Sequence, residues 1–167
     1  MDLKQINDQA LTKFIGQLKA APEGSPIVAA NQHLLGASVG ASTWAGGGML
    51  ELAGFISVVG RGVWWTAECD VALTDFSSGV KAVSFSASGT GFMVGAIEGE
   101  VVGAFVVDPA TIPSGDCHYT IGVGAVEEGA VTLFLYSTSG TLYGNFTGPS
   151  EGLAAGDMSG TGKLVVG

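Results

Sequence analysis

Leu3, Ile6, Ala10, Leu11, Phe14, Ile15 and Leu18 recur at steps of three and four, with Lys4, Gln5, Asp8, Gln9, Lys13 and Gln17 between them. This spacing predicts an amphipathic helix over residues 3–18, with Asp2 as the oxygen-bearing residue that caps its first N–H groups. A second short helix is expected after Ser25, with Pro26 at its first position and an end near Gly36. From residue 48 the period falls to two. Along 63–73 the odd positions read Val63, Trp65, Ala67, Cys69, Val71 and Leu73, and the even ones Trp64, Thr66, Glu68, Asp70 and Ala72. Such alternation predicts a strand with one face in a core.

Before that run, Leu50, Leu52, Ile56 and Val58 share a face in a strand near 48–59, and Gly60-Arg61-Gly62 reads as a hairpin turn. Further strands are expected at roughly 80–88, 91–98, 100–108, 118–127, 130–138, 141–148 and 160–166. Ser78-Gly79, Glu98-Gly99, Glu128-Gly129 and Ser139-Gly140 mark turns between them. Short strands at this spacing predict an all-β antiparallel sandwich or closed barrel.

A self-similarity sharpens the picture. Gly99-Glu100-Val101-Val102-Gly103-Ala104-Phe105 recurs as Gly140-Thr141-Leu142-Tyr143-Gly144-Asn145-Phe146, and Gly115-Asp116 recurs as Gly156-Asp157. Two copies are too few for a solenoid and suggest two related four-strand motifs in one barrel. In each copy a glycine and the phenylalanine two residues on share a strand face. Glycine inside a strand costs about 0.5–1 kcal/mol relative to alanine, so either tight curvature or an aromatic ring over the glycine is expected. On the opposite face the second copy shows Thr141, Tyr143, Asn145 and Thr147, which water could solvate, whereas the first shows Val102, Ala104 and Val106. A strand apolar on both sides needs a cover. The helical arm, a neighbouring subunit, a second sheet or lipid could supply it.

Composition places the boundary between the two regions. Only Gly16 and Gly24 of the 28 glycines precede residue 36. Residues 1–47 therefore read as a helical arm with a Gly/Ala/Ser-rich linker, and 48–167 as the barrel domain. Hydrophobic residues make up 47% and charged residues 13% of the chain, which excludes a disordered polymer. A net charge of -9 repels phosphate backbones and argues against nucleic acid as a partner. The start, Met1-Asp2-Leu3-Lys4, shows no basic region followed by an apolar one, so no secretory signal is visible, which leaves three readings open: a cytoplasmic protein, a signal outside this sequence, or export by another route.

Candidate chemistry is thin. Gly36-Ala37-Ser38-Val39-Gly40 and Gly148-Pro149-Ser150-Glu151-Gly152 fit the spacing of a hydrolase nucleophile, but that motif needs a strand-to-helix elbow in an alternating α/β sheet. Gly160-Thr161-Gly162-Lys163 lacks the first glycine and the Ser/Thr of a phosphate loop, and no helix follows it. Cys117 and His118 are adjacent in a strand and should face opposite ways, so they cannot easily share a metal with Cys69 and His33. Cys69 lies on the apolar face and reads as a buried, inert thiol; whether it bridges to Cys117 is open. Glu98, Glu100, Glu127 and Glu128 sit at turns and serve solubility. Trp64 is left on the polar face because Trp65 takes the core side, and exposed tryptophans are enriched at interfaces. Asn145-Phe146-Thr147 is a glycosylation sequon. No catalytic, cofactor-binding or metal residues are assigned.

The run Val131-Thr132-Leu133-Phe134-Leu135-Tyr136, then Ser139-Gly140-Thr141-Leu142-Tyr143-Gly144-Asn145-Phe146, and finally Gly160-Thr161-Gly162 resembles the closing strands of the virulence-associated proteins of Rhodococcus, the VapA-type family. The likeness extends upstream through Leu73-Thr74-Asp75 and Val83-Ser84-Phe85. It implies a compact antiparallel barrel of about eight strands made of two Greek-key-like halves. It also implies a secreted or cell-surface protein without enzymatic activity that acts on host membranes, and no catalytic residues to carry over. The chain departs from that family in its helical arm and in showing no export signal.

Together these readings predict a non-catalytic β-barrel interaction module without a cofactor. Its expected partner is a protein or membrane surface, and its candidate contact residues are Leu3, Ile6, Phe14, Leu18, Trp64, Val102 and Val106. Two rivals stand beside it: a self-assembling homo-oligomeric subunit built on the arm and the apolar strand face, and an enzyme of unrecognised type.

Overall fold

The computed structural model describes residues 2–35, 52–73, 79–124, 126–150 and 156–167. The apolar stripe at the N-terminus forms helix α1, Leu3–Ala20, and the Asp2 carboxylate accepts the Gln5 N–H at 3.2 Å as its cap. Helix α2 spans Pro26–Ala30 and a 3₁₀ turn follows at Gln32–Leu34. The second helix is thus shorter than expected: Ser25 makes no side-chain cap bond, and Asn31 leaves helical geometry with φ -124° and ψ 29°.

Six strands follow: β1 Leu52–Ala72, β2 Ala82–Phe105, β3 Gly115–Val123, β4 Ala130–Tyr136, β5 Leu142–Pro149 and β6 Gly156–Val166. Their order is β1-β2-β5-β4-β3-β6, all antiparallel, and β2 also pairs with β6. The first part of β2 meets β6 from Val83↔Val166 to Ser86↔Lys163, and its end meets β5 from Val102↔Thr147 to Phe105↔Gly144. One long strand therefore closes the sheet into a barrel, and β1 runs beside it from Leu52↔Gly103 to Ala72↔Ala82.

Among the described residues six long or medium strands replace the eight or nine short ones expected. Of the segment near 48–59, residues 48–51, Leu50 among them, lie outside the described residues; the rest is merged with 63–73 in β1, and the segments near 80–88, 91–98 and 100–108 are merged in β2. Gly60-Arg61-Gly62 makes no hairpin. It is the elbow of a continuous ribbon, with a break in register between Gly62 and Trp64. A bulge residue there shifts the phase of a period-two pattern. Before it Ile56 and Val58 are buried, and after it Trp65, Ala67, Cys69 and Val71 are. Val63, expected among the core-facing positions, lies at this break, where one residue of β1 stands opposite two of β2, Gly91 and Phe92, and it is 62% exposed. The ribbon doubles over on this elbow so tightly that a Cβ at Gly54 would lie 2.6 Å from the Asp70 carbonyl oxygen.

The interior holds side chains from every strand, among them Trp65, Phe85, Phe105, Tyr119 and Phe146. Tyr119 meets Trp65 edge-on at 5.8 Å between centroids and Phe85 at 5.2 Å. The two Gly-x-Phe segments are each other's partners, since Gly103 pairs with Phe146 and Phe105 with Gly144. The rings pack edge to face at 5.4 Å, and each lies over the opposing glycine. A Cβ at Gly144 would stand 2.6 Å from the Ala104 carbonyl oxygen, which explains the glycine at that strand position.

A second apolar cluster lies outside the barrel wall. Leu11, Phe14, Ile15 and Leu18 of α1 and Leu34 of the 3₁₀ turn pack on Val106 and Leu142, flanked by Phe134 and Tyr136. Burying each such side chain contributes about 1.5–3 kcal/mol against the entropy of ordering the arm. The cover for the face carrying Ala104 and Val106 is therefore the arm of the same chain.

Candidate interaction surface

The arm is held by two buried asparagines. Asn7 is 3% exposed, and its side-chain oxygen accepts the Thr147 hydroxyl at 2.8 Å, while its carbonyl accepts the Asn145 amide at 2.9 Å. Asn31 is fully buried and bonded on three sides. Its amide donates to the carbonyls of Ile27 and Gly140, each at 2.9 Å, and its oxygen accepts the Leu142 N–H at 2.7 Å. Asn145 and Thr147, expected on a solvated face, are 0% exposed beneath α1. Tyr143 leaves that face too: the register slips between Leu135 and Tyr136, and Tyr143 joins the interior cluster. The sequon is consequently closed to modification in the folded chain. Strand alternation could not show this, because the covering residue is remote in sequence. A signal did exist at the other end, since Asn7 stands four residues after Leu3 and four before Leu11, inside the apolar stripe.

The arm's candidate contact residues are used up in this seam. Ile6, Phe14 and Leu18 are buried, as is Val106, while Leu3 and Val102 are half-buried. Trp64 has a different fate. Trp65 points inward and its indole lies across Gly89, where any Cβ would collide with the ring. With its neighbour fixed inside, Trp64 stands outside and is 62% exposed. Val63, pushed out by the bulge, is equally exposed, and Val94 is 56% exposed. Val94 pairs with Arg61, and Trp64 with Thr90, so three exposed apolar side chains and a guanidinium gather at the elbow of the ribbon. Trp64 was legible in the sequence; Val63 and Val94 were not, because the break in register beside them interrupts the alternation.

The other candidates separate. Cys117 is buried in the interior and its neighbour His118 is exposed, as strand geometry requires. Both cysteines are free. Burial, aided by the Asp70 charge, pushes the Cys69 thiol up to about 12, and burial pushes Cys117 up to about 11. Such thiols are protonated and unreactive at neutral pH. His33 sits on the arm's 3₁₀ turn, away from the interior cysteines, and partial burial pulls its imidazole below the usual range. Among the described residues no three His, Cys, Asp or Glu side chains form a group suited to a metal ion. Gly36–Gly40, Glu151 and Gly152 lie outside the described residues, and the Ser150 N–H is bonded to the Gly129 carbonyl at 2.9 Å. Lys163 lies in β6, paired with Asp116, rather than in a phosphate-binding loop.

These features define a closed antiparallel barrel with a docked N-terminal helix and an exposed apolar elbow. No protein-family model, curated protein or solved structure matches the chain.

Proposed function

We propose that the protein is a non-catalytic interaction module that touches its partner through the elbow of the β1–β2 ribbon. The observation that carries this reading is the exposure of Trp64 and Val63, both 62%, beside Val94 at 56%, together at one elbow, whereas the other exposed large apolar side chains among the described residues, Val165, Phe55 and Ile27, lie on separate elements or away from the elbow. The partner is a lipid surface. Tryptophan is suited to the boundary between water and acyl chains, and Arg61 can meet headgroup phosphates. A net charge of -9 opposes strongly anionic bilayers, so zwitterionic headgroups are favoured.

The resemblance to the VapA-type proteins points the same way. Counted on either side of the elbow, the ribbon contributes four arms, and these together with β3, β4, β5 and β6 support the reading of an eight-arm barrel of two Greek-key-like halves. Secretion to the cell exterior belongs to this reading. Self-assembly through the arm and the Val102, Ala104 and Val106 face has less support, because those surfaces meet within one chain; light scattering that shows an oligomer would restore it.

Co-sedimentation with phosphatidylcholine vesicles tests the proposal. The full chain is expected to pellet, and Trp64→Ser to pellet far less while melting like the parent. Absence of pelleting at both neutral and acidic pH, or equal pelleting of the variant, overturns it.

A further inference from the structure

A second surface, remote from the elbow in sequence, carries a different chemistry. Where α1 lies against the outside of β4, β3 and β6, a groove of about 390 Å³ remains open. This falls within the range of about 300–1,000 Å³ usual for small-ligand sites. Its floor is aromatic. Phe134 and Tyr136, two residues apart on β4, present rings inclined by only 16° with centroids 6.3 Å apart, and both are half-buried. Phe14 of the arm packs against both rings, 5.8 Å from Phe134 and 5.9 Å from Tyr136, and borders the groove beside them. The groove therefore exists only with the arm docked.

The walls are polar. Gln17 and Lys13 stand on α1, Thr120 on β3 and Asp157 on β6, all exposed and all lining the groove. Burial pushes the Tyr136 phenol up, and the Thr120 hydroxyl beside it works against this by favouring the ionised form. The walls thus offer donors and acceptors of several kinds, with one cation and one anion. A phosphorylated or sulfated ligand would meet the Asp157 carboxylate and a chain of net charge -9. An acyl chain would strip the polar groups of water without replacing their hydrogen bonds. The ligand that matches both surfaces is uncharged, has one face of C–H bonds for the electron-rich ring faces, and carries hydroxyls around its edge.

We propose that this groove is a carbohydrate subsite for an uncharged pyranose ring, stacked on Phe134 and Tyr136 and bonded at its rim by Gln17, Lys13 and Asp157. It is independent of the elbow contact.

The test is titration of the full chain with maltohexaose, cellohexaose and chitohexaose up to about 10 mM, followed by amide and aromatic NMR shifts. At least one sugar should give saturable shifts at Phe134, Tyr136 and the facing turns of α1. Gln17→Ala and Asp157→Ala should each weaken binding about fivefold, the worth of one hydrogen bond, with unchanged melting. Trp64→Ser should bind like the parent. The proposal is overturned if no sugar gives a saturable shift, if shifts centre on Trp64, if both rim variants bind as tightly as the parent, or if a sulfated oligosaccharide binds more tightly than its neutral counterpart.

Discussion

Asn7→Ala should loosen the arm by an amount that the buried seam allows one to work out. The Thr147 hydroxyl donates to the Asn7 side chain at 2.8 Å, with Asn7 3% and Thr147 0% exposed. Removing the acceptor leaves a buried hydroxyl unsatisfied, at a cost of about 1–3 kcal/mol. Alanine returns about 0.6 kcal/mol because it is the better helix former. The net loss is about 1–2 kcal/mol, or roughly 2–8 °C in melting temperature for a chain of this size. Thr147→Val strands the Asn7 oxygen instead and should cost a similar amount. The double variant removes both partners, so its loss should fall short of the sum by about 1 kcal/mol. Urea unfolding followed by far-UV circular dichroism and tryptophan fluorescence measures all three. A strictly additive cycle, or an Asn7→Ala variant as stable as the parent, would show that these side chains do not meet beneath the helix.

Other outcomes follow from the same contacts. Asn31→Ala breaks three hydrogen bonds and orphans the Leu142 N–H, so it should cost about 2–4 kcal/mol in urea unfolding, more than Asn7→Ala. Gly144→Ala drives a Cβ to 2.6 Å from a backbone oxygen and should destabilise by about 1–3 kcal/mol, whereas Gly16→Ala meets nothing within 4 Å and should stabilise α1 by about 0.8–1 kcal/mol. Native Cys69 and Cys117 should resist a disulfide reagent at pH 8 and react on unfolding; rapid labelling of the native chain would contradict their burial. The Cys69 thiol stays protonated in the fold up to about 12, while the unfolded chain releases that proton near pH 9. Its contribution is therefore whole below about pH 9 and is lost as pH rises toward 12, and Cys69→Ala should flatten that alkaline fall in the urea midpoint.

The sequence showed what local periodicity can show. Helix α1 and its Asp2 cap were legible because stripe and cap lie within one segment, and β4 and β5 because turn residues bracket their alternation. The elbow was misread as a hairpin, since a glycine-flanked phase slip marks a turn and a bulge alike, and only pairing with β2 tells them apart. Asn145 and Thr147 were misread as solvated because their cover comes from the other end of the chain. For the contact surface, Trp64 could be placed by the inward demand of Trp65. Ile6, Phe14, Leu18 and Val106 could not be assigned between a free face and a seam until the arm was seen lying on the barrel.

Amide hydrogen exchange on the full chain tests most directly the claim that the arm is built into the barrel wall and leaves the elbow as the contact surface. The account predicts that α1 from Ile6 to Ile15 exchanges as slowly as β4 and β5, with the amides flanking the Gly62–Trp64 bulge among the fastest in β1. Exchange of α1 at the rate of an unfolded peptide, with β4 and β5 still protected, would contradict it.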